Sequence, residues 1–197
     1  MTPEFSAFRK IPRLSRNICL TEKLDGTNAS VYIVDRSQQV YDLDGYVATI
    51  GDYAIYAGKR TSWCNIKQDN HGFASWVYAN AEELITLGTG HHFGEWWGQG
   101  IQRRYGLEEK RFSLFNVSRW DNPEDRPRCC DIVPTIYRGM FSQEAIDAAL
   151  EDLKANGSKA ASGFMKPEGI IVYHCAAGIG FKKTLEKDEM PKSISGL

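Results

Sequence analysis

The chain has 197 residues, 42% of them hydrophobic and 25% charged, which is enough for one domain with a real core and a strain for two. Its 24 basic and 25 acidic side chains leave a net charge of −1, excluding a whole-molecule field for nucleic acid and making any phosphate contact a local one. No apolar run approaches the roughly 18 residues of a membrane span, and the start, with Pro3, Glu4 and early arginines, lacks a signal-peptide segment, so a cytoplasmic (intracellular) protein with no membrane partner is expected. Five cysteines, Cys19, Cys64, Cys129, Cys130 and Cys175, show no Cys-x-x-Cys spacing and read as reduced thiols rather than a disulfide framework or zinc ribbon.

In chain order, Arg9, Lys10, Arg13 and Arg16 stand among Phe8, Ile11, Leu14 and Ile18, either a solvated face or a phosphate-contacting lip. Thr21 to Asn28 then sets a lysine, Lys23, among acidic residues ahead of a glycine turn. This is either an Asp-Gly turn at a strand start or a nucleophile setting. A lysine amine has a reference pKa of about 10.4, so the second role needs a pocket with a cation, a metal or desolvation to unload its proton. Ala29 to Val34 reads as a strand fed by the loop that holds Lys23, and Val40–Tyr41 and Tyr46 to Ile50 flank Asp44-Gly45 as a hairpin. Tyr56 to Thr61 is an exposed turn or a basic functional element. Phe73, Trp76, Val77, Leu84 and Ile85 recur at near-helical spacing up to Gly88. His91 and His92 precede Glu95 without a second ligand pair, which favours a loop running into a strand over a metal site. Glu95 itself lies in the apolar run Phe93 to Gly98, where an unpaired buried carboxylate is costly; it needs a partner, or solvent at a sheet edge. Arg111 to Trp120 alternates as a strand does, and 121–134 is a Pro-, Asp- and Arg-rich loop. Ser142 can cap a helix through Leu153 that Asn156-Gly157 ends.

The string Glu22-Lys23-Leu24-Asp25-Gly26-Thr27-Asn28, with Phe8-Arg9-Lys10-Ile11-Pro12 upstream, closely resembles the nucleotide-binding motif of the ATP-dependent, nick-sealing RNA ligases of phage and RNA-editing type. These are a branch of the covalent nucleotidyltransferases, which include DNA ligases and capping enzymes. Tyr56-Ala57-Gly58-Lys59-Arg60-Thr61 resembles the family's basic element, with Arg60 approaching nucleotide or strand phosphate, at a longer separation from Lys23 than is usual. Phe93-Gly94-Glu95-Trp96-Trp97-Gly98 is similar to the motif whose glutamate contacts ribose or metal, and Phe115 matches the aromatic that stacks on adenine, with core packing as its alternative. Lys166 to Tyr173 resembles the Glu-Gly-hydrophobic strand whose glutamate, here Glu168, helps hold the metal. Gly180-Phe181-Lys182-Lys183-Thr184 falls where a Lys-x-Lys strand is expected. Only adjacent lysines are present, so Lys182 is assigned the α-phosphate and Lys183 is left open.

The resemblance implies an α+β, antiparallel β-sheet nucleotidyltransferase of the ligase adenylation type, one domain over 1–197 with no C-terminal OB or helical domain. It implies ATP with Mg2+ or Mn2+ as cofactors. Lys23, Glu95, Glu168 and Lys182 are the catalytic candidates and Glu95 and Glu168 the metal ligands. Glu22, Asp25, Gly26, Asn28, Arg60, Phe115 and Lys183 are nucleotide-binding candidates. Gln102, Arg103 and Arg104 are candidates for extending the strand-binding surface. Lys23 would attack the α-phosphate of ATP to form lysyl-AMP, the AMP would pass to a 5′-phosphate end, and a 3′-hydroxyl would seal the strand. Asn28, where DNA ligases and capping enzymes carry arginine, favours RNA strand ends or a nicked duplex as partner, with DNA and an accessory domain or protein left open. The competing readings are a DNA nick ligase, a capping-type guanylyltransferase and a non-catalytic nucleotide- or nucleic-acid-binding module.

Overall fold

Two strand-forming runs, Asn17–Lys23 (β1) and Thr27–Asp35 (β2), are separated only by Leu24-Asp25-Gly26, yet they enter different sheets. This three-residue step is what sets the end of β1 against the large sheet. The computed structural model describes residues 3–38, 44–186 and 188. In the smaller sheet β1 is central, between Thr135–Met140 (β9) and Gly169–His174 (β10), with Ile179–Thr184 (β11) outside β10 and all pairings antiparallel. The larger sheet runs Ala48–Ile50 (β3), Tyr53–Lys59 (β4), β2, Gly90–Gly98 (β6), Lys110–Leu114 (β7) and Cys130–Ile132 (β8). Trp63–Cys64 (β5) also pairs with β4, and β8 is parallel to β7.

Strand alternation sorts each face. Ala29, Val31 and Ile33 of β2 pack with Phe73, Val77 and Leu84 from Phe73–Ala79 (α1) and Ala81–Leu84 (α2), burying one face of the larger sheet. Ile18 and Leu20 of β1 meet Ile146, Ala149 and Leu153 of Gln143–Asn156 (α4), together with Ile170 and Val172. Each such fully buried aliphatic contributes about 1.5–3 kcal/mol. A third cluster, with Cys19, Leu24, Trp97, Tyr105, Val117, Val133 and Ala161, joins the two sheets behind the loop after β1.

The antiparallel α+β architecture agrees with the resemblance, and several local expectations change. Lys23 closes a strand rather than sitting in a loop. The helix over 73–85 is two pieces, because Asn80 leaves helical geometry at φ −110°, ψ 17° and turns its amide onto the Trp76 carbonyl at 2.8 Å. The strand over 111–120 stops at Leu114, where Asn116 caps the short helix Val117–Trp120 (α3) by accepting from the Arg119 amide at 3.2 Å. The 121–134 loop contains β8, too short for its period to be read. The first arm of the Val40–Ile50 hairpin lies outside the described residues; its second arm includes β3, which pairs with β4. For α4 the expected cap holds, with Ser142 Oγ accepting from the Ala145 amide at 3.1 Å. Among the described residues no helix is long and apolar enough to cross a membrane.

Candidate active site

Antiparallel register pairs Lys23 with Gly169, which delivers the preceding Glu168 to the lysine from 145 residues away. Lys23 Nζ donates to Glu168 Oε2 at 2.5 Å, and the two side chains are only 18% and 7% exposed. From the other sheet comes Glu95, which lies opposite Asn28 in the β2–β6 pairing. Its Oε1 accepts from the Gly26 amide at 3.0 Å and its Oε2 from Asn28 Nδ2 at 3.4 Å. Burial is the largest influence on Glu95 and pushes its pKa up to about 7. The Lys23 charge, the Gly26 amide and Asn28 pull it down, and Glu168 adds repulsion. Lys23 is thus bracketed by one carboxylate from each sheet. Gly26 permits the close crossing, since a Cβ there would collide with the Trp96 carbonyl oxygen and stand 2.7 Å from Trp97 Cβ.

Asp25 is held by a part that the sequence reading did not supply. Arg103 Nε donates to Asp25 Oδ2 at 3.0 Å while its Nη1 donates to the carbonyls of Lys166 at 2.8 Å and Pro167 at 3.3 Å. Tyr105 Oη accepts from the Asp25 amide at 2.8 Å, and burial raises the phenol's pKa above its usual range. Arg103 therefore ties the loop after Lys23 to the residues before Glu168, and its guanidinium is spent inside the protein rather than offered to a strand. The carrier loop is strained: Gln102, Arg104 and Tyr105 have φ of 44°, 60° and 53°. Non-glycine residues in that region cost on the order of 1–3 kcal/mol each and gather at functional sites.

The other candidates fall on two sides. Ile18, Leu20 and Glu22 share the α4 face of β1, opposite Lys23. Glu22 is 1% exposed, accepting from Ser158 Oγ at 2.6 Å and the amides of Lys159 and Ala160 at 2.7 and 3.1 Å, so it braces the turn after α4. Burial raises its pKa and those bonds oppose the rise. The rows Thr21–Ile171–Lys182 and Lys23–Gly169–Thr184 lie on the lysine's face, whereas Glu22–Ile170–Lys183 lies on α4's. Thr184 therefore occupies the second same-face position of the Lys-x-Lys pattern. Arg60 is exposed in the turn after β4, next to Lys59, whose register partner is Ala29. Phe115 follows β7, 41% exposed, its amide donating to the Phe93 carbonyl at 2.9 Å.

Among the described residues no group of three or more His, Cys, Asp or Glu is arranged around an ion. Glu95 and Glu168 nonetheless suit a magnesium-type ion, which is commonly held by one or two carboxylates and substrate phosphates. Glu95 in particular is a buried carboxyl short of positive charge.

The two antiparallel sheets that meet at Lys23 have the nucleotidyltransferase fold of the RNA ligases. Residues 16–185 match the RNA ligase family, and the chain belongs to that family. No curated protein matches it significantly in sequence. Among solved structures it is similar to Naegleria gruberi RNA ligase. One substituted form of that enzyme with ATP and Mn superposes at TM-score 0.62 and 18% identity, covering 94% of this chain and 58% of that one. Another, with AMP and Mn, gives 0.61 and 18%, covering 87% and 50%. The chain thus spans about half the length of the structures it matches.

Proposed function

We propose that the protein is an ATP-dependent RNA ligase that charges itself on Lys23. Lys23 Nζ, once deprotonated, attacks the α-phosphorus of ATP; the bond to the bridging oxygen breaks, pyrophosphate leaves, and AMP remains as a phosphoramidate. A 5′-phosphate oxygen of RNA then attacks the AMP phosphorus and releases the lysine, and a 3′-hydroxyl displaces AMP to form the phosphodiester. Before charging, Glu168 grips the lysine's proton. A divalent ion held by Glu95, Glu168 and the nucleotide's phosphates would supply positive charge at the α-phosphate and compete with the amine for Glu168. Lys182, on the lysine's face, and Arg60, in the exposed turn after β4, would meet charge developing on phosphate. Phe115 would stack on the adenine, and Asp25 with Gly26 would hold the loop after the nucleophile in place.

The observation that carries this reading is the Lys23–Glu168 contact with Glu95 opposite, in a chain of the RNA ligase family. That the Naegleria gruberi structures were obtained with ATP or AMP and Mn supports the choice of nucleotide and ion. Intact-mass measurement after incubation with ATP and magnesium tests it. One added AMP is expected, absent in Lys23→Ala and Lys23→Arg. Label from GTP instead would make the protein a capping-type enzyme, and no label from either would leave a binding module.

A further inference from the structure

The face of the larger sheet that presents Glu95 continues well beyond it. Alternation puts Phe93 and His91 on Glu95's side of β6, with His91 roughly 13 Å along the strand at ~3.4 Å per residue. Register sets Tyr32 against both His91 and Tyr56. Trp63 lies over this row almost parallel to its neighbours, at 22° and 5.8 Å to Tyr32 and 21° and 5.4 Å to His91. Tyr56 and Phe93 extend the contacts, 5.3 Å from Trp63 and 5.0 Å from His91 respectively. Gly58 lets the indole lie down, because its missing Cβ would stand 3.2 Å from the ring.

Tyr56, 5% exposed, sets the row from beneath, and the upper rings are open: Trp63 is 47% exposed and Phe93 56%. Burial lowers the His91 pKa, disfavouring the charged imidazolium. At the Trp63 end stands Arg60, exposed and in no ion pair among the described residues. An aromatic surface fixed in one plane, edged by a cation and continuous with a site for strand ends, matches what unpaired nucleotides require. Bases stack on aromatic side chains whatever their identity, and cations take the phosphates.

We propose that Trp63, His91 and Phe93, seated on Tyr32 and Tyr56, form a stacking platform for unpaired bases of the RNA strand joined at the Lys23 site, with Arg60 on its phosphates. This rests on the RNA-ligase reading above. Anisotropy with a labelled 5′-phosphorylated single-stranded RNA of about twelve nucleotides, run beside self-adenylylation with ATP and magnesium, tests it. Trp63→Ala should weaken RNA binding about tenfold or more, Trp63→Phe less than about threefold, and both should charge with AMP at the wild-type rate. Wild-type RNA affinity in a Trp63→Ala protein that still charges overturns the platform. So does unchanged affinity with altered self-association, which would give the face to a second copy of the chain. Should Trp63→Ala lose charging, His91→Ala carries the same comparison. If the wild type binds RNA and Trp63→Ala does not, but neither charges, the platform stands and the ligase reading falls.

Discussion

Glu95 sits near the midpoint of its titration at neutral pH, since burial holds its pKa up at about 7 against Lys23, the Gly26 amide and Asn28. A carboxyl raised in the folded state above its ordinary 4.5 stabilises the fold most below that value and loses the contribution as pH rises through 7. The swing is on the order of 3 kcal/mol. Glu95→Gln removes it, so chemical denaturation should show the variant gaining on the wild type between about pH 5 and 8; parallel curves would mean that Glu95 is not held this way. At the same scale, the two adjacent lysines separate by face. Lys182 shares Lys23's side and Lys183 the α4 side. Removing one preorganised donor to developing charge costs about 100-fold or more, so Lys182→Ala should slow self-adenylylation by about that factor and Lys183→Ala by less than about threefold. The reverse ranking would put the α-phosphate on the other face.

Among the elements, the strained loop after β6 matters most, because Arg103 joins the β1–β2 step to the approach to β10. Arg103→Ala should lower the rate of charging about tenfold or more with little change in the ATP concentration needed, as misplacement of reacting groups does. Arg103→Lys should recover little, since one ammonium cannot reproduce a fork reaching a carboxylate and two carbonyls; full recovery would reduce the role to charge alone. This loop also marks the limit of what could be read from sequence. Glu95 stood out as an acid in an apolar run, Glu168 only through the family resemblance, and α4 through its Ser142 cap and Asn156-Gly157 stop. The Asp25–Arg103 contact spans 78 residues, and three left-handed residues of ordinary type leave no signal in composition. Glu22 entered through its place in the motif, and what the motif leaves out is that a strand sends neighbours to opposite faces, so its side chain joins Ser158 on the α4 side. β8 and the break at Asn80 were lost because three residues carry no period and one asparagine carries no break.

For the molecule as a whole, near-neutrality leaves RNA binding to local cations. Arg9, Arg13, Arg16 and Arg104 are exposed, and four phosphate contacts of this kind would cost about 100-fold in affinity between about 50 and 200 mM salt. Sealing of a nicked RNA duplex should fall accordingly, with self-adenylylation changing less than about threefold; equal salt dependence would require strand contacts of another kind. The order of strands around β1 has a consequence for how the protein is made. Both neighbours of β1, β9 and β10, come from the second half of the chain, and Glu168 from 145 residues downstream of Lys23. As the chain leaves the ribosome, β1 therefore has no sheet partner until residues 135–140 of β9 have been synthesised and gains its second only with β10, a long-range closure of the kind that slows folding. A ribosome-bound chain stalled before Glu168 would carry its lysine motif without the carboxylate that holds Lys23 Nζ, so on the proposed mechanism nucleotide uptake would report that synthesis has passed that point.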